Sequence, residues 1–171
     1  MSGQYIAGNY TVTYDGDAVG QTLRGVYLSH EFNKRMIVVD EEGDAPVDAI
    51  YRGRNQFIEF EIVEANRAVL NKILEPYVSG NTPFGAAVIG QFDVGSEAGG
   101  TCPGAAKQIV MTAAAGTCAA AAGPTTMTFP LCIIAEGFPM RINFNTDLRQ
   151  VPLRFRVYPN ASGVYGTQVD P

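Results

Sequence analysis

Glu59 and Glu61 are the two side chains whose spacing comes nearest to that of a catalytic carboxylate pair. They alternate with Ile58, Phe60 and Ile62, and this period of two puts both carboxylates on one face of a strand, about 7 Å apart. Paired carboxylates at that separation can serve glycoside hydrolysis. The same alternation is typical of a strand with one wet face, and no other polar group converges on the pair in the sequence. We therefore expect a solvated surface at Glu59 and Glu61.

His30 is the single histidine of the chain. An imidazole can act as a base, a metal ligand or a pH-responsive contact, but acid-base or metal chemistry needs a partner group. Without an identifiable partner, we interpret His30 as a polar residue at a strand end. The acidic turn Asp40, Glu41, Glu42 and Asp44 is rich in oxygen ligands, yet its spacing is not that of an EF-hand loop. We interpret it as a solvated loop.

The three cysteines, Cys102, Cys118 and Cys132, form no CxxC pair. They therefore suggest neither a disulfide framework nor a zinc site, and we expect buried or loop thiols. The chain has no GxGxxG and no GxxxxGK[ST] motif, so nothing indicates a nucleotide cofactor. These observations predict a protein that is not an enzyme and that needs no metal or cofactor.

Four arginines, Arg141, Arg149, Arg154 and Arg156, form a basic cluster near the C-terminal end. A nucleic-acid reader carries a larger basic surplus than this chain, which has a net charge of −5 and a pI of about 4.8. We expect these arginines to pair with acidic residues of the first half of the chain or of a neighbouring subunit.

The glutamate pair belongs to a long strand that leads almost directly into a helix. From Ala65 on, apolar residues recur at spacings of three and four, which is the pattern of a helix with one buried stripe. Pro76 disfavours helical geometry at Glu75 and so ends the element. We predict one helix of three turns. Its apolar stripe is Val69, Leu70, Ile73 and Leu74, opposite Arg67, Asn71 and Lys72.

Other strand candidates recur along the chain with turn signals between them, a pattern typical of an antiparallel sandwich or barrel. Asp15 and Gly16 offer a tight hairpin turn after the first strand. The predicted strands are Tyr10–Tyr14, Thr22–Leu28, Met36–Val39, Val47–Tyr51, Val88–Phe92, Ile109–Met111, Met127–Ala135, Met140–Phe144 and Val151–Tyr158.

The middle of the chain is poor in charge. Residues 79–139 carry only Asp93, Glu97, Glu136 and Lys107, and they are rich in Gly and Ala. We predict a single domain over residues 1–171 with a Gly/Ala-rich, charge-poor insertion around 79–126. Burial against copies of the same chain would account for the insertion. Two flexible surface loops are the alternative.

The chain has no apolar run long enough to span a membrane and no signal-peptide pattern at its start. We expect a soluble protein that is made in a cytoplasm and does not associate with a membrane.

Four segments of the sequence resemble the tail tube proteins of tailed bacteriophages. They are YTVTYDGDAVGQTLRGVYLS, DAIYRGRNQ, FIEFEIVEANRAVLNKILEPY and VPLRFRVYPNASGVYG. The resemblance implies a mainly β subunit with one α-helix, an antiparallel β-sandwich or barrel of the phage tail tube type. Such subunits form rings, usually sixfold, that stack into the hollow virion tube through which DNA is ejected.

The resemblance also implies partners and a location. The chain would bind copies of itself, tail sheath or other tail proteins, and DNA would pass through the lumen without specific binding. Glu59 and Glu61 would line this lumen, where fixed negative charge repels phosphate. Loops such as Asp40–Pro46 and Gly80–Pro103 would lie between rings. The protein would be synthesised in the host cytoplasm and end in the virion.

Two alternatives stay open. A tail tube initiator or terminator, or another tail or baseplate protein of the same fold, would share these patterns and stop at one ring. A monomeric β-sandwich binding module would use the Gly/Ala-rich middle as recognition loops.

Overall fold

The computed structural model describes residues 10–38, 45–65, 67–74, 105–114, 124–137 and 150–169. The described part is mainly antiparallel β-structure with one α-helix, as predicted from the sequence. In chain order the elements are β1 Tyr10–Tyr14, β2 Asp17–Ala18, β3 Gly20–Val38, β4 Pro46–Ala65, α1 Arg67–Leu74, β5 Lys107–Ala113, β6 Thr126–Ile134, β7 Val151–Tyr158 and β8 Thr167–Val169.

The strands form one sheet in the order β2-β1-β5-β6-β7-β4-β3, and β8 pairs with β6 beside this path. The sheet is strongly curled, because Tyr14 of β1 and Phe155 of β7 lie three strand positions apart yet their ring centroids are 5.5 Å apart. Three strand spacings on a flat sheet would separate them by about 14 Å. The curl encloses the core on the concave side.

The core follows directly from the alternation of apolar residues. In β7 every second residue is buried, from Val151 to Val157. The first three of these residues pair with Ile62, Phe60 and Ile58 of β4, and Val157 pairs with Gln56. Phe60 stacks on Phe155 at 5.7 Å. The same cluster includes side chains from β1, β5, β6 and α1. Burial of this apolar surface is the main stabilising term.

The helix covers part of the core and begins later than predicted. Val69 and Ile73 are fully buried, as their spacing indicated, and Lys72 on the outer side forms an ion pair with Asp17. The predicted start of the helix at Ala65 was wrong, because Ala65 is the last residue of β4 and still pairs with Gly20 of β3. Within the described residues the helix comprises Arg67–Leu74, and the residues directly after Leu74, where the predicted helix ends, lie outside the described part.

The tight turn at Asp15 and Gly16 is confirmed. Both residues have positive φ, 52° and 84°, as a type I′ hairpin turn requires. The hairpin partner of β1 is, however, only the two-residue β2. The predicted strand Thr22–Leu28 does not pair with β1, because the chain turns away at Gly20, where φ is 119°. β3 pairs with β4 instead.

β3 and β4 form one long hairpin of 19 and 20 residues. The separate strands predicted at Met36–Val39 and Val47–Tyr51 are, within the described residues, the distal ends of this hairpin. Their separation was wrong because continuous cross-strand pairing runs through Gly25 and Gly53, with register shifts near each glycine. Both glycines have positive φ, a conformation typical of residues that accommodate β-bulges.

The charge-poor middle contributes β5, which lies between β1 and β6 and buries Ile109 and Met111 in the core. The predicted strands Val88–Phe92 and Met140–Phe144 lie outside the described residues. So do the Gly80–Pro103 loop, residues 39–44 of the acidic turn, Cys102, Cys118, Arg141 and Arg149. Within the described part, no helix is long and apolar enough to cross a membrane.

Candidate assembly surfaces

The outer side of β4 and β7 carries a charged face, which we define as Phe57, Glu59, Glu61, Arg154 and Arg156. Strand alternation places these residues opposite the buried ones. Glu59 is directly across from Arg154, and Phe57 is directly across from Arg156. Opposite charges on neighbouring strands stabilise the sheet modestly.

Arg154 is the centre of the charged face. Its Nε lies 3.1 Å from Glu59 Oε1, without the alignment of a hydrogen bond, and one terminal nitrogen lies 3.7 Å from Glu31 Oε1. The guanidinium also stacks over the Phe57 ring at 4.0 Å. The expected pairing of the arginine cluster with acidic residues of the first half is therefore confirmed for Arg154.

Arg156 also lies near the Phe57 ring. Its guanidinium lies 5.2 Å from the Phe57 ring centroid, and its Nε donates a hydrogen bond of 3.0 Å to Glu136. Glu136 belongs to the second half of the chain, so this pair was not expected. The two stacked guanidiniums cover Phe57, which is only 4% exposed although it points away from the core.

Glu59 and Glu61 share the charged face, on the side of β4 opposite the core residues Ile58 and Phe60. Glu61 Oε2 is buried without a hydrogen-bond partner. The pair therefore lies on a strand face that carries ion pairs, and its assignment to a lumen stays a prediction.

His30 lies in the middle of β3, across from Gln56. Its interpretation as a strand-end residue was wrong, because β3 continues to Val38 through the long hairpin. The exposed imidazole stacks on Phe32 with ring centroids 6.2 Å apart. Among the described residues, no group of three or more metal-ligating side chains lies together.

Cys132 is fully buried in the core. Its Sγ lies 3.7 Å from the carbonyl oxygen of Phe129, to which it donates a weak hydrogen bond. Burial raises the pKa of this thiol from 9.0 to about 12, because desolvation disfavours the thiolate. Cys132 is thus a buried free thiol, as expected.

The distal half of the β3–β4 hairpin forms an arm, which we define as Glu31–Val38 and Pro46–Asn55. β4 pairs with β7 only from Gln56 onward, so within the described residues the arm is a two-stranded ribbon. At about 3.3 Å per residue it extends for about 26 Å. A two-stranded ribbon is at best marginally stable in water without other contacts.

The arm carries large apolar side chains on both of its faces. Met36 and Ile50 point to opposite faces, since Ile50 pairs with Arg35, the neighbour of Met36. Six such side chains are half or more exposed: Phe32, Met36, Val38, Val47, Ile50 and Tyr51. Sequence reasoning missed this surface because apolar runs such as Met36–Val39 also fit buried strands. A partner surface is the usual role of such a patch.

No protein family and no curated protein matches the sequence. Among solved structures, the chain is similar to Hcp1 from Flavobacterium johnsoniae, with 9% identity and a TM-score of 0.42 over 86% of this chain and 88% of the other.

Proposed function

We propose that this chain is a structural subunit of a bacteriophage tail tube. Copies bind one another into rings, sixfold in the form the sequence resemblance implies, and the rings stack into a hollow tube through which DNA is ejected. Tail sheath or other tail proteins bind its outside, and the assembled protein resides in the virion. The chain has a structural role and performs no catalysis.

The apolar arm is the observation that carries this proposal. The ribbon is about 26 Å long and exposes apolar side chains on both faces. Contact of this apolar surface with water is unfavourable. Docking against another subunit would bury both faces and would satisfy the open edges of its strands. A contact between different surfaces of identical subunits propagates into rings or filaments.

The charged face fits the inner wall of such a tube. Its carboxylates outnumber its guanidiniums when the contacts Glu31 and Glu136 are included, and a net negative wall repels DNA phosphate. Because each arginine is already engaged by a carboxylate, few cations are left to hold the DNA backbone. In this proposal Glu59 and Glu61 face the lumen.

Substitution on the arm tests the proposal. Met36→Lys and Ile50→Lys each place a charge on one face of the arm, at side chains 54% and 53% exposed, so the isolated subunit keeps its fold. We expect both variants to sediment as single subunits at concentrations where the unsubstituted protein forms large assemblies.

Val164→Lys is the matched control, because it introduces the same charge at an exposed apolar residue in the turn between β7 and β8. It should assemble like the unsubstituted chain. If both arm variants assemble at the concentration at which the unsubstituted protein assembles, the role given to the arm is refuted.

A further inference from the structure

A cavity of about 350 Å³ opens at the base of the arm, which we call the base cavity. β3 and β4 form one wall, and β6, β8 and the residues before β8 form the other. Leu28 and Phe129 provide apolar surface, while His30, Arg54 and Gln56 provide polar groups. Its size suits a small ligand or a few side chains.

Gln56 brings an unpartnered polar group to this cavity. The residue is 3% exposed, and its Oε1 is buried without a hydrogen-bond partner. A buried amide oxygen without a donor is unfavourable, because it has lost its hydrogen bonds to water, so a ligand that supplies an N–H group recovers that loss. The amide therefore indicates what the cavity lacks, namely a hydrogen-bond donor.

Arg54 brings a cation to the same cavity. Its guanidinium stacks over the Tyr165 ring at 4.3 Å, and the Tyr165 hydroxyl donates a hydrogen bond of 3.1 Å to the Arg54 carbonyl oxygen. Within the described part of the chain no carboxylate forms an ion pair with Arg54, and no acidic residue lines the cavity. A guanidinium held flat against a ring still presents its N–H groups to a carboxylate.

A peptide segment with acidic side chains meets both needs, because its backbone N–H groups suit Gln56 and its carboxylates suit Arg54. An inorganic anion without an O–H group, such as sulfate, would neutralise Arg54 and leave the Gln56 oxygen without a donor. The connection between β3 and β4, residues 39–44, has the sequence VDEEGD, with four carboxylates and no cation. Its charge is complementary to the base cavity.

We propose that the base cavity binds the acidic 39–44 segment of a second copy of this chain. The segment cannot come from the same copy, because Arg54 and Pro46 are eight residues apart along a continuous strand, which is about 26 Å. This inference rests on the proposed function, and it assigns the contact that joins one subunit to the next.

Charge reversal tests the contact. One variant carries Arg54→Glu, and a second carries both Glu41→Arg and Glu42→Arg. In each variant like charges face one another across the contact, so the concentration needed for assembly should rise about tenfold or more. The chain that carries all three substitutions should regain assembly, since the opposite charges are restored. Circular dichroism verifies that each variant is folded.

Arg24→Glu is the control, because it makes the same charge change at an exposed residue of β3 that does not line the base cavity. It should assemble at the unsubstituted concentration. The contact is refuted if Arg54→Glu assembles as readily as Arg24→Glu. It is also refuted if the triple variant needs as high a concentration to assemble as the two variants whose substitutions it combines.

A synthetic peptide of residues 38–46 separates this inference from the proposed function, because its binding does not need tubes. We expect it to bind the unassembled protein, and Arg54→Glu to weaken that binding about tenfold. Absence of binding, or equal binding to both proteins, would overturn the contact even if the protein forms tubes. Conversely, specific peptide binding by a chain that never assembles would support the contact and refute the tube.

Discussion

Arg154 determines the character of the charged face, because one guanidinium is shared between Glu59, Glu31 and the Phe57 ring. The partners are partly exposed, so each ion pair contributes little stability by itself. The arrangement matters more for charge. With Glu61, Glu136 and Arg156 included, four carboxylates oppose two guanidiniums, and the face stays negative while its arginines are occupied. In the proposed tube, a face of this kind would let a polyanion pass without binding.

Cys132 supplies a prediction at the scale of one residue. Its pKa is about 12 in the folded chain and 9.0 ordinarily, so above pH 9 the unfolded chain loses a proton that the folded chain retains. The free energy of unfolding should therefore fall as pH rises from about 9 towards 12, by up to about 1.4 kcal/mol per pH unit. Below pH 9 this residue should contribute no pH dependence.

Urea unfolding of the unsubstituted chain and of Cys132→Ala, at pH 8, 9.5 and 10.5, measures this effect. Other titrating groups are common to both proteins, so the difference between them isolates Cys132. The difference in the free energy of unfolding between the unsubstituted chain and Cys132→Ala should become smaller as pH rises. A difference that stays constant would show that the thiol ionises as readily in the folded chain as in the unfolded one.

The arm is a two-stranded ribbon within the described residues, so the proposed assembly would stabilise it more than β7. Within the described residues it has cross-strand hydrogen bonds but no third strand, whereas β7 is flanked by β4 and β6. Amides with few buried neighbours open locally at low free-energy cost. In unassembled protein, we expect the amides of Glu31–Val38 and Val47–Asn55 to exchange with deuterium much faster than those of β7.

On assembly, the arm amides should become protected while those of β7 change little. Hydrogen exchange of the unassembled and assembled forms, resolved by peptide, measures both. Equal protection of the arm in the two forms would mean that the arm takes no part in subunit contacts.

The elements also show where sequence patterns suffice. β7 occupies Val151–Tyr158 as predicted, because clean alternation specifies both its length and its buried face. The pairing of β1 with β5 could not be predicted, since Tyr10 and Ala113 meet across about a hundred intervening residues. The helix start was misplaced because Ala65 fits the helical stripe as well as the strand, and pairing with Gly20 decides the outcome.

The base cavity was beyond sequence reasoning for the same reason. Gln56, Phe129 and Tyr165 come from three distant parts of the chain, and no local pattern marks their meeting. By contrast, Glu59 and Arg154 were each singled out from the sequence, one by alternation and the other as a member of the arginine cluster. Only their contact required the structure.

At the scale of the whole molecule, the three surfaces have different chemistry and face different ways. The charged face lies outside the curled sheet on β4 and β7, the arm extends beyond the end of β7, and the base cavity lies where the arm begins. An acidic chain with a net charge of −5 repels its own copies at long range. In the proposed assembly, association would therefore come from short-range contacts, apolar on the arm and complementary in charge at the base cavity.

Electron cryomicroscopy of the purified protein at increasing concentration tests the tube assignment most directly. We predict hollow tubes of stacked rings, with Glu59 and Glu61 on the lumen wall and the arm buried between subunits. Closed single rings would instead favour a tube initiator or terminator. Single subunits at every concentration and salt condition, with mass confirmed by light scattering, would contradict the proposed function.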